Sequence, residues 1–368
     1  MMFHRSSRFR ILIPAVLLLT FLALACETLA DEDAAKTPLK KTQLILLEHY
    51  TLAYDRNDYQ QQRNVMQQIY DVTVNNKSDL RLLTAAEARM ILDDHEAALA
   101  MPVESLQKAR QMQVECRLGN AATLQKDYPR AIVHLDKALE LSEVYGADSY
   151  EQLRIKVQIA AASEYTGGDI NRGIAIATDV RTELERRNMA DCHLYSDTLA
   201  YLYILQLAAG KEPEGIETGE TLIQLLQKQQ EERTLRFVQV TGMIARFLNI
   251  AKRHDEAYRY AALGLKTCPE LVGEDMKYGL LLLQECAKAL ANLNDYEQVP
   301  VLYEKILSTI AATPGYPDHL KLEFLKEYAA ILETMGEQQR NVEIKREIEK
   351  IKYPPMPPKS LYSDWSMK

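Results

Sequence analysis

The sequence predicts an all-α fold of about eight stacked helix pairs, because the chain repeats itself at an interval of 42 residues. One column of mostly small residues marks the start of the second helix of each pair: Ala131, Gly173, Gly215, Ala257, Val299 and Asn341. A second column lies twelve residues earlier, in the first helix: Gly119, Ala161, Tyr203, Ala245, Ala287 and Ala329. Such a period is typical of units that bury their apolar faces only against their neighbours.

A third column predicts the turn inside each pair. Five residues before the first column stand residues compatible with turns: Lys126, Gly168, Gly210, Lys252, Asn294 and Gly336. The clearest unit runs from Glu115 to Leu141, with apolar residues at helical spacing on both sides of its turn. We expect Gly119 and Ala131 to meet where its two helices cross, and Ala138 to pack on the first helix of the next pair.

The clearest unit resembles the tetratricopeptide repeat. The resemblance rests on Leu118-Gly119, Tyr128, Ala131, Leu135 and Ala138, and it covers residues 42–352. It implies a right-handed α-α superhelical solenoid. The interval is longer than the roughly 34 residues usual for that family, so each helix is expected to carry extra turns.

Both ends of the repeat region depart from the regular interval. Upstream of Ala131 the interval shortens, first to Ala97 and then to Gln62, which brings the expected total to about eight helix pairs. Downstream, Asn341 and Lys345 fit the repeat poorly, and the last unit is expected to be a solvent-facing cap.

The first 25 residues predict an export signal. Arg5, Arg8 and Arg10 precede an uncharged apolar run from Ile11 to Leu24. This order is typical of a cleaved signal peptide, and it differs from that of a retained membrane helix.

The cleavage site has two interpretations. Leu22-Ala23-Leu24-Ala25-Cys26 resembles a bacterial lipobox, which predicts lipidation of Cys26 and a linker over residues 26–41. Cleavage after Ala30 by an ordinary signal peptidase is the alternative. The first interpretation is favoured because the apolar run reaches Cys26 without a polar spacer. The protein would then be an exported, membrane-anchored periplasmic or outer-membrane lipoprotein.

Residues 353–368 form a Pro-rich tail. Pro354, Pro355, Pro357 and Pro358 cannot continue the preceding helix. Trp365, the single tryptophan of the chain, follows them. We expect this tail to fold back over the apolar face of the final helix, and a docking peptide is the alternative.

The charge of the chain argues against nucleic acid as a partner. The net charge of the whole sequence is −8, and residues 1–25 contain three arginines and no acidic residue. Without them the net charge is therefore −11, whereas nonspecific nucleic-acid binding depends on an excess of Lys and Arg.

The sequence contains no convincing catalytic or metal-binding constellation, so it predicts neither an enzyme nor a cofactor. Asp93-Asp94-His95-Glu96 is interpreted as a turn between helices, and the adjacent Asp191-Cys192-His193 as a connection entering the next helix. The cysteines beyond Cys26 lack CxxC spacing and are expected to be buried free thiols: Cys116, Cys192, Cys268 and Cys286.

The resemblance implies that the first helices line a concave groove. Polar residues that flank the small column would bind there: Arg117, Asn120, Gln158, Tyr165, Asp197, Tyr201, Gln239, Arg246, Asn249, Gln284 and Lys288. Amides suit the backbone of an extended peptide, and Arg suits a carboxylate. The Lys/Asn clamp of chaperone-binding members is not supported, because Cys116 and Ala330 stand at two of its positions.

The leading functional hypothesis is an exported scaffold that holds a protein or peptide in this groove. One alternative is a sensor that binds a signalling peptide or small ligand and acts through a partner. Capture of glycans at the cell surface is a third hypothesis, although proteins of that kind interrupt the solenoid with long insertions. Five consecutive intervals of 42 residues leave no room for such insertions here.

Overall fold

The structure is a computed structural model that describes residues 38–75, 83–165, 170–229, 231, 234–267 and 276–351. Within these ranges the chain forms fifteen α-helices. They are α1 (Pro38–Asp55), α2 (Tyr59–Asn75), α3 (Ala85–Ala100), α4 (Val103–Leu124), α5 (Tyr128–Leu141), α6 (Tyr150–Ser163), α7 (Ile170–Arg186), α8 (His193–Ala208), α9 (Glu212–Lys228), α10 (Leu235–Ile250), α11 (His254–Thr267), α12 (Met276–Asn292), α13 (Val299–Ala311), α14 (Asp318–Met335) and α15 (Gln338–Lys350). The predicted signal peptide, Cys26, residues 26–37 of the predicted linker, Cys268 and the tail 353–368 lie outside the described residues.

The helices confirm an all-α repeat fold. Seven successive pairs account for fourteen helices: α1/α2, α4/α5, α6/α7, α8/α9, α10/α11, α12/α13 and α14/α15. The expected eighth pair around Ala97 is one continuous helix, α3, and the Asp93–Glu96 stretch interpreted as a turn lies inside it. The residue five before Ala97 is Leu92, a fully buried helix former, so nothing there breaks the helix.

The turns inside the pairs follow one backbone pattern, as the third sequence column predicts. The residue at this column has a positive φ in every pair whose turn is described: Asn57, Lys126, Gly210, Lys252, Asn294 and Gly336. At the turn between α4 and α5, the Lys126 amide donates to Thr123 O and the Asp127 amide donates to Ala122 O, both at 2.9 Å. This is a left-handed C-terminal cap, which satisfies two terminal carbonyls of the first helix and starts the second helix at once.

The predicted helix crossing lies where the sequence placed it. A Cβ atom on Gly119 would stand 2.8 Å from Leu135 Cγ and 3.3 Å from Ala131 O, so α4 and α5 can approach this closely only because the residue is glycine. Ala138 is fully buried in a cluster with Ile155 of α6, which confirms its expected contact with the next pair.

The chain divides into two compact units, residues 1–230 and 231–368, at the connection between α9 and α10. The first unit contains α1–α9 and the second contains α10–α15. In the core of the second unit, the rings of Tyr303 and Tyr328 stack at 4.5 Å with an interplanar angle of 8°.

The unpaired helix α3 connects distant parts of the first unit. Fully buried Glu87 accepts hydrogen bonds from the His193 and Leu194 amides at 3.3 and 3.2 Å, at the start of α8. Two turns further along α3, Asp94 Oδ2 accepts a hydrogen bond from the Glu151 amide at 2.8 Å, at the start of α6. The side-chain oxygens of Glu87 and Asp94 thus satisfy terminal amides of α8 and α6.

The described cysteines are buried and free, as predicted: Cys116, Cys192 and Cys286. Cys192 Sγ accepts a hydrogen bond from the Tyr195 amide at 3.3 Å and caps α8. Burial raises the pKa of Cys192 well above its usual value, which disfavours the thiolate that a nucleophile would need. In the described residues, no helix is long and apolar enough to cross a membrane, and no three His, Cys, Asp or Glu side chains form a metal-binding group.

Candidate functional site

The residues that the sequence assigns to a groove fall into both units, and each unit is described by itself. The first unit contains six of them: Arg117, Asn120, Gln158, Tyr165, Asp197 and Tyr201. The second contains five: Gln239, Arg246, Asn249, Gln284 and Lys288.

In the first unit, Arg117 contacts the end of α1. Its Nη1 donates hydrogen bonds to Tyr54 O and Asn57 Oδ1, both at 3.2 Å, and its guanidinium lies 6.0 Å from the centroid of the Tyr54 ring. Arg117 therefore caps a helix C-terminus, where a cation is favoured. A contribution to stability follows directly from these contacts.

Asn120 and Gln158 are buried, with exposed fractions of 7% and 4%. Asn120 Oδ1 and both amide atoms of Gln158 lack a hydrogen-bond partner among the residues that the structure describes. Because they are buried, these two amide side chains are not on an exposed helix surface where a peptide could bind them.

Tyr165 is the most exposed of the first-unit candidates. Its ring stacks on that of Tyr128 at a centroid distance of 4.3 Å and an interplanar angle of 15°. Burial raises the pKa of the neighbouring Glu164 carboxyl to about 7. Asp197 and Tyr201 are half-buried on α8. Tyr165 thus presents an aromatic edge, but the first-unit candidates do not form a common pocket among the described residues.

The second unit brings three of the candidates together. Arg246 from α10 and Gln284 and Lys288 from α12 line an open pocket with a cavity volume of about 110 Å³. Its other lining residues come from α12, from α14 and from the loop before α14: Lys277, Tyr316, Leu320, Glu323 and Phe324. The pocket therefore lies across three successive first helices, with one wall of cations and amides and another of aromatic and aliphatic side chains.

Two polar side chains of this pocket are held in place by acidic neighbours. Lys288 Nζ lies 2.6 Å from Glu327 Oε1 and 3.2 Å from Glu285 Oε1, and the Gln284 amide donates to Glu327. Burial by itself would lower the pKa of Lys288, but the two carboxylates raise it, so the lysine is charged at neutral pH. Such pairs fix the side chains before a ligand arrives.

The remaining second-unit candidates do not line the pocket. The Asn249 side chain donates to Glu285 O and Glu285 Oε2, both at 2.9 Å, and its Oδ1 lies 3.1 Å from His254 Nδ1. Asn249 therefore supports Glu285, which in turn holds Lys288. Gln239 is half-buried on α10.

Sequence reasoning missed the other half of the pocket, namely Lys277, Tyr316, Leu320, Glu323 and Phe324. Four of these five belong to the last helix pair, α14/α15, or to the loop before it. The poor repeat match at Asn341 had indicated that this pair is a solvent-facing cap. The useful signal is the aromatic pair Tyr316 and Phe324 around the start of α14. The repeat columns do not include it because Tyr316 lies in a loop.

A second, largely apolar pocket lies inside the first unit. It has a cavity volume of about 40 Å³ and is lined by residues that include Tyr50, Tyr54 and Met66. Arg154 and Glu151, an ion pair at 2.5 Å, form its polar end, and Arg154 also donates to the Tyr54 hydroxyl at 3.1 Å. These polar groups satisfy one another, so this pocket offers an incoming ligand little beyond apolar contact.

Comparisons with known proteins give distant structural likenesses. No family model and no curated protein matches the chain. Two crystal structures of a protein from Podosopora anserina, described as a kinesin light chain with nearly identical TPR-like repeats, are similar at 16% identity with TM-scores of 0.47 and 0.46. Each match covers 54% of this chain and 93% of that one. A Rap protein complexed with Competence and Sporulation Factor is similar at 10% identity with a TM-score of 0.42, over 91% of this chain and 96% of the other.

Proposed function

We propose that this protein is a binding scaffold and that the pocket between α10, α12 and α14 holds a segment of a peptide or protein partner. The observation that carries the proposal is the convergence of Arg246, Gln284 and Lys288 on one pocket. No catalytic step is part of the proposal. The protein acts by holding its partner.

The chemistry of the pocket indicates what the bound segment contains. Arg246 and Lys277 line the pocket together with the carboxylate of Glu323, and Lys288 pairs with Glu285 and Glu327. A carboxylate is the group that such a wall would bind, and Arg can bind it in bidentate fashion. The opposite wall favours an apolar or aromatic side chain. We therefore expect a segment with an acidic residue close to an aromatic or aliphatic one.

Display of random peptides on the purified protein tests this proposal. Recovered peptides should be enriched in acidic residues next to aromatic ones, and Arg246→Ala should weaken their binding by about tenfold, since loss of a charge-assisted contact costs roughly 1.5–3 kcal/mol. Val301→Ala, at a residue that is 65% exposed on α13 and outside the pocket, is the matched control. Equal binding by both variants would place the peptide site elsewhere.

The proposal includes export and a lipid anchor at Cys26. Its support is the sequence alone: an n-region with three arginines, an apolar run and a lipobox-like Leu22–Cys26. In a bacterial host, Cys26→Ser should abolish incorporation of labelled fatty acid while leaving the protein folded. Unchanged labelling, or a mature form that begins at Asp31, would show that ordinary signal peptidase processes the chain.

A further inference from the structure

The last described helix of the chain, α15, contacts the helix α14 that lines the second-unit pocket. Glu347, near the end of α15, forms an ion pair with Lys321 of α14 at 2.7 Å. Lys321 directly follows Leu320, which lines the pocket. Ile351 packs against the core of the second unit and lies four residues after Glu347, about 6 Å further along a helix axis. The chain therefore leaves the described structure close to the pocket wall that α14 provides.

The composition of the tail matches what the pocket would bind. After the proline stretch 354–358, residues 360–367 read Ser-Leu-Tyr-Ser-Asp-Trp-Ser-Met, with Asp364 as the single charge between two aromatic residues. Arg246 and Lys277 line the pocket beside the carboxylate of Glu323, and Tyr316, Leu320 and Phe324 form its apolar wall. This is an acidic residue next to aromatic ones, the combination expected of a partner segment.

The length of the tail is sufficient. Fourteen residues separate Ile351 from Trp365, and an extended chain of that length spans up to about 46 Å. The five residues 354–358 would contribute about 15 Å as a polyproline spacer, which costs little entropy to hold extended.

We infer that residues 360–367 dock into this pocket in the same chain, with Asp364 facing Arg246 and Lys277, and that a partner peptide must displace them. The inference rests on the proposed function, because it takes the pocket to be the partner site. Docking in the same chain benefits from a high effective concentration, so a partner must bind the vacated pocket more tightly than the tail does.

The fluorescence of Trp365 tests the docking directly, because the chain contains no other tryptophan. In the full-length protein, we expect a blue-shifted emission and protection from acrylamide quenching. Leu320→Asp and Lys277→Glu should each shift the emission to the red and remove the protection, whereas the control Val301→Asp should change neither. Far-UV circular dichroism establishes that each variant keeps its helical fold.

Two results would overturn the inference. Quenching of Trp365 in the native protein to the extent seen in guanidinium would show that the tail is undocked. Protection that survives both pocket substitutions would place the tail on another surface, such as the face of the final helix.

Peptide binding separates this inference from the proposed function. A chain truncated after residue 351 should bind a display-selected peptide more tightly than the full-length chain, and equal affinity would show that the tail does not compete. If neither chain binds any peptide, the proposed function fails, while the fluorescence of Trp365 still decides whether the tail is docked.

Discussion

Replacement of Asp94 by Asn should change how the stability of the first unit depends on pH. Asp94 is 7% exposed on α3, and burial raises the pKa of its carboxyl from 3.8 to about 7. Hydrogen bonding from the Glu151 amide and the charge of Arg187 lower this pKa, whereas the carboxylates of Glu151 and Asp93 raise it. The folded protein therefore binds a proton that the unfolded chain releases between pH 4 and 7.

The sign follows from the linkage between proton binding and folding. Because the folded state holds the extra proton, Asp94 favours folding below pH 4, and its contribution is lost as the pH rises towards 7. The shift of the pKa corresponds to a loss on the order of 4 kcal/mol. Asn keeps an oxygen that can accept the Glu151 hydrogen bond, but it carries no charge. The difference in unfolding free energy, variant minus wild type, should therefore rise by about 3–4 kcal/mol from pH 4 to pH 8.

His95, the next residue, masks the effect of Asp94 in the wild-type curve. Burial lowers the pKa of His95 to about 4, and its Nε2 lies 2.8 Å from the Tyr50 hydroxyl. A buried neutral histidine destabilises the fold as the pH falls from 6.5 to 4, which is opposite in sign to Asp94 over nearly the same window. The two contributions should largely cancel in the wild type. In Asp94→Asn the contribution of His95 remains alone.

Urea unfolding followed by the far-UV helical signal, at intervals from pH 4 to pH 8, measures these differences. Asp93→Asn is the matched control, because the Asp93 side chain is 56% exposed and pairs with Arg89 on the surface. The control should parallel the wild type at every pH. A constant difference between Asp94→Asn and the wild type across the range would refute the assignment of the buried proton to Asp94.

Four further substitutions test the packing, the turns and the cap on α1. Gly119→Leu should destabilise the first unit by about 1–3 kcal/mol through overpacking against α5, and an unchanged melting temperature would mean that α4 and α5 do not cross there. Lys126→Gly should stabilise the protein by about 0.5–1 kcal/mol and Gly210→Lys should destabilise it by about 1–2 kcal/mol, because both positions have a positive φ. If the urea midpoints of both variants shifted in the same direction, the left-handed caps would be contradicted. Arg117→Ala should cost about 1–2 kcal/mol through loss of the cap on α1, and amide exchange at the end of α1 should show no change if that contact is absent.

The repeat could be predicted from the sequence because helix packing and turn geometry restrict which residue types can stand at particular positions. Gly119 is required by a contact of 2.8 Å with Leu135, and the residues at positive φ are required by the tight turns. Both constraints act locally and recur every 42 residues, so the repeat can be recognised in the sequence without knowledge of the tertiary structure. The buried free thiols of the described residues could be predicted from the same register.

The candidate site was predictable only in part. Arg246, Gln284 and Lys288 lie next to the small column and line one pocket. Asn120 and Gln158 occupy comparable register positions in the first unit and are nevertheless buried. The register gives the face of a helix, but the exposure of that face depends on how other helices close over it, and this is a tertiary property.

Helix α3 shows what a periodic interpretation leaves out. It breaks the interval of 42 residues and packs on α2, the second helix of the preceding pair. Glu87 and Asp94 are seven residues apart, about 10.5 Å along the helix axis, which is close to the 8–10 Å between the axes of packed helices. One helix can therefore reach the N-termini of α6 and α8 with two carboxylates on the same face. Loss of either side-chain acceptor leaves buried terminal amides unpaired, so the spacing of the two acceptors is a requirement of the fold. Two acidic residues seven apart, in a helix where the interval fails, are the sequence signal for this arrangement.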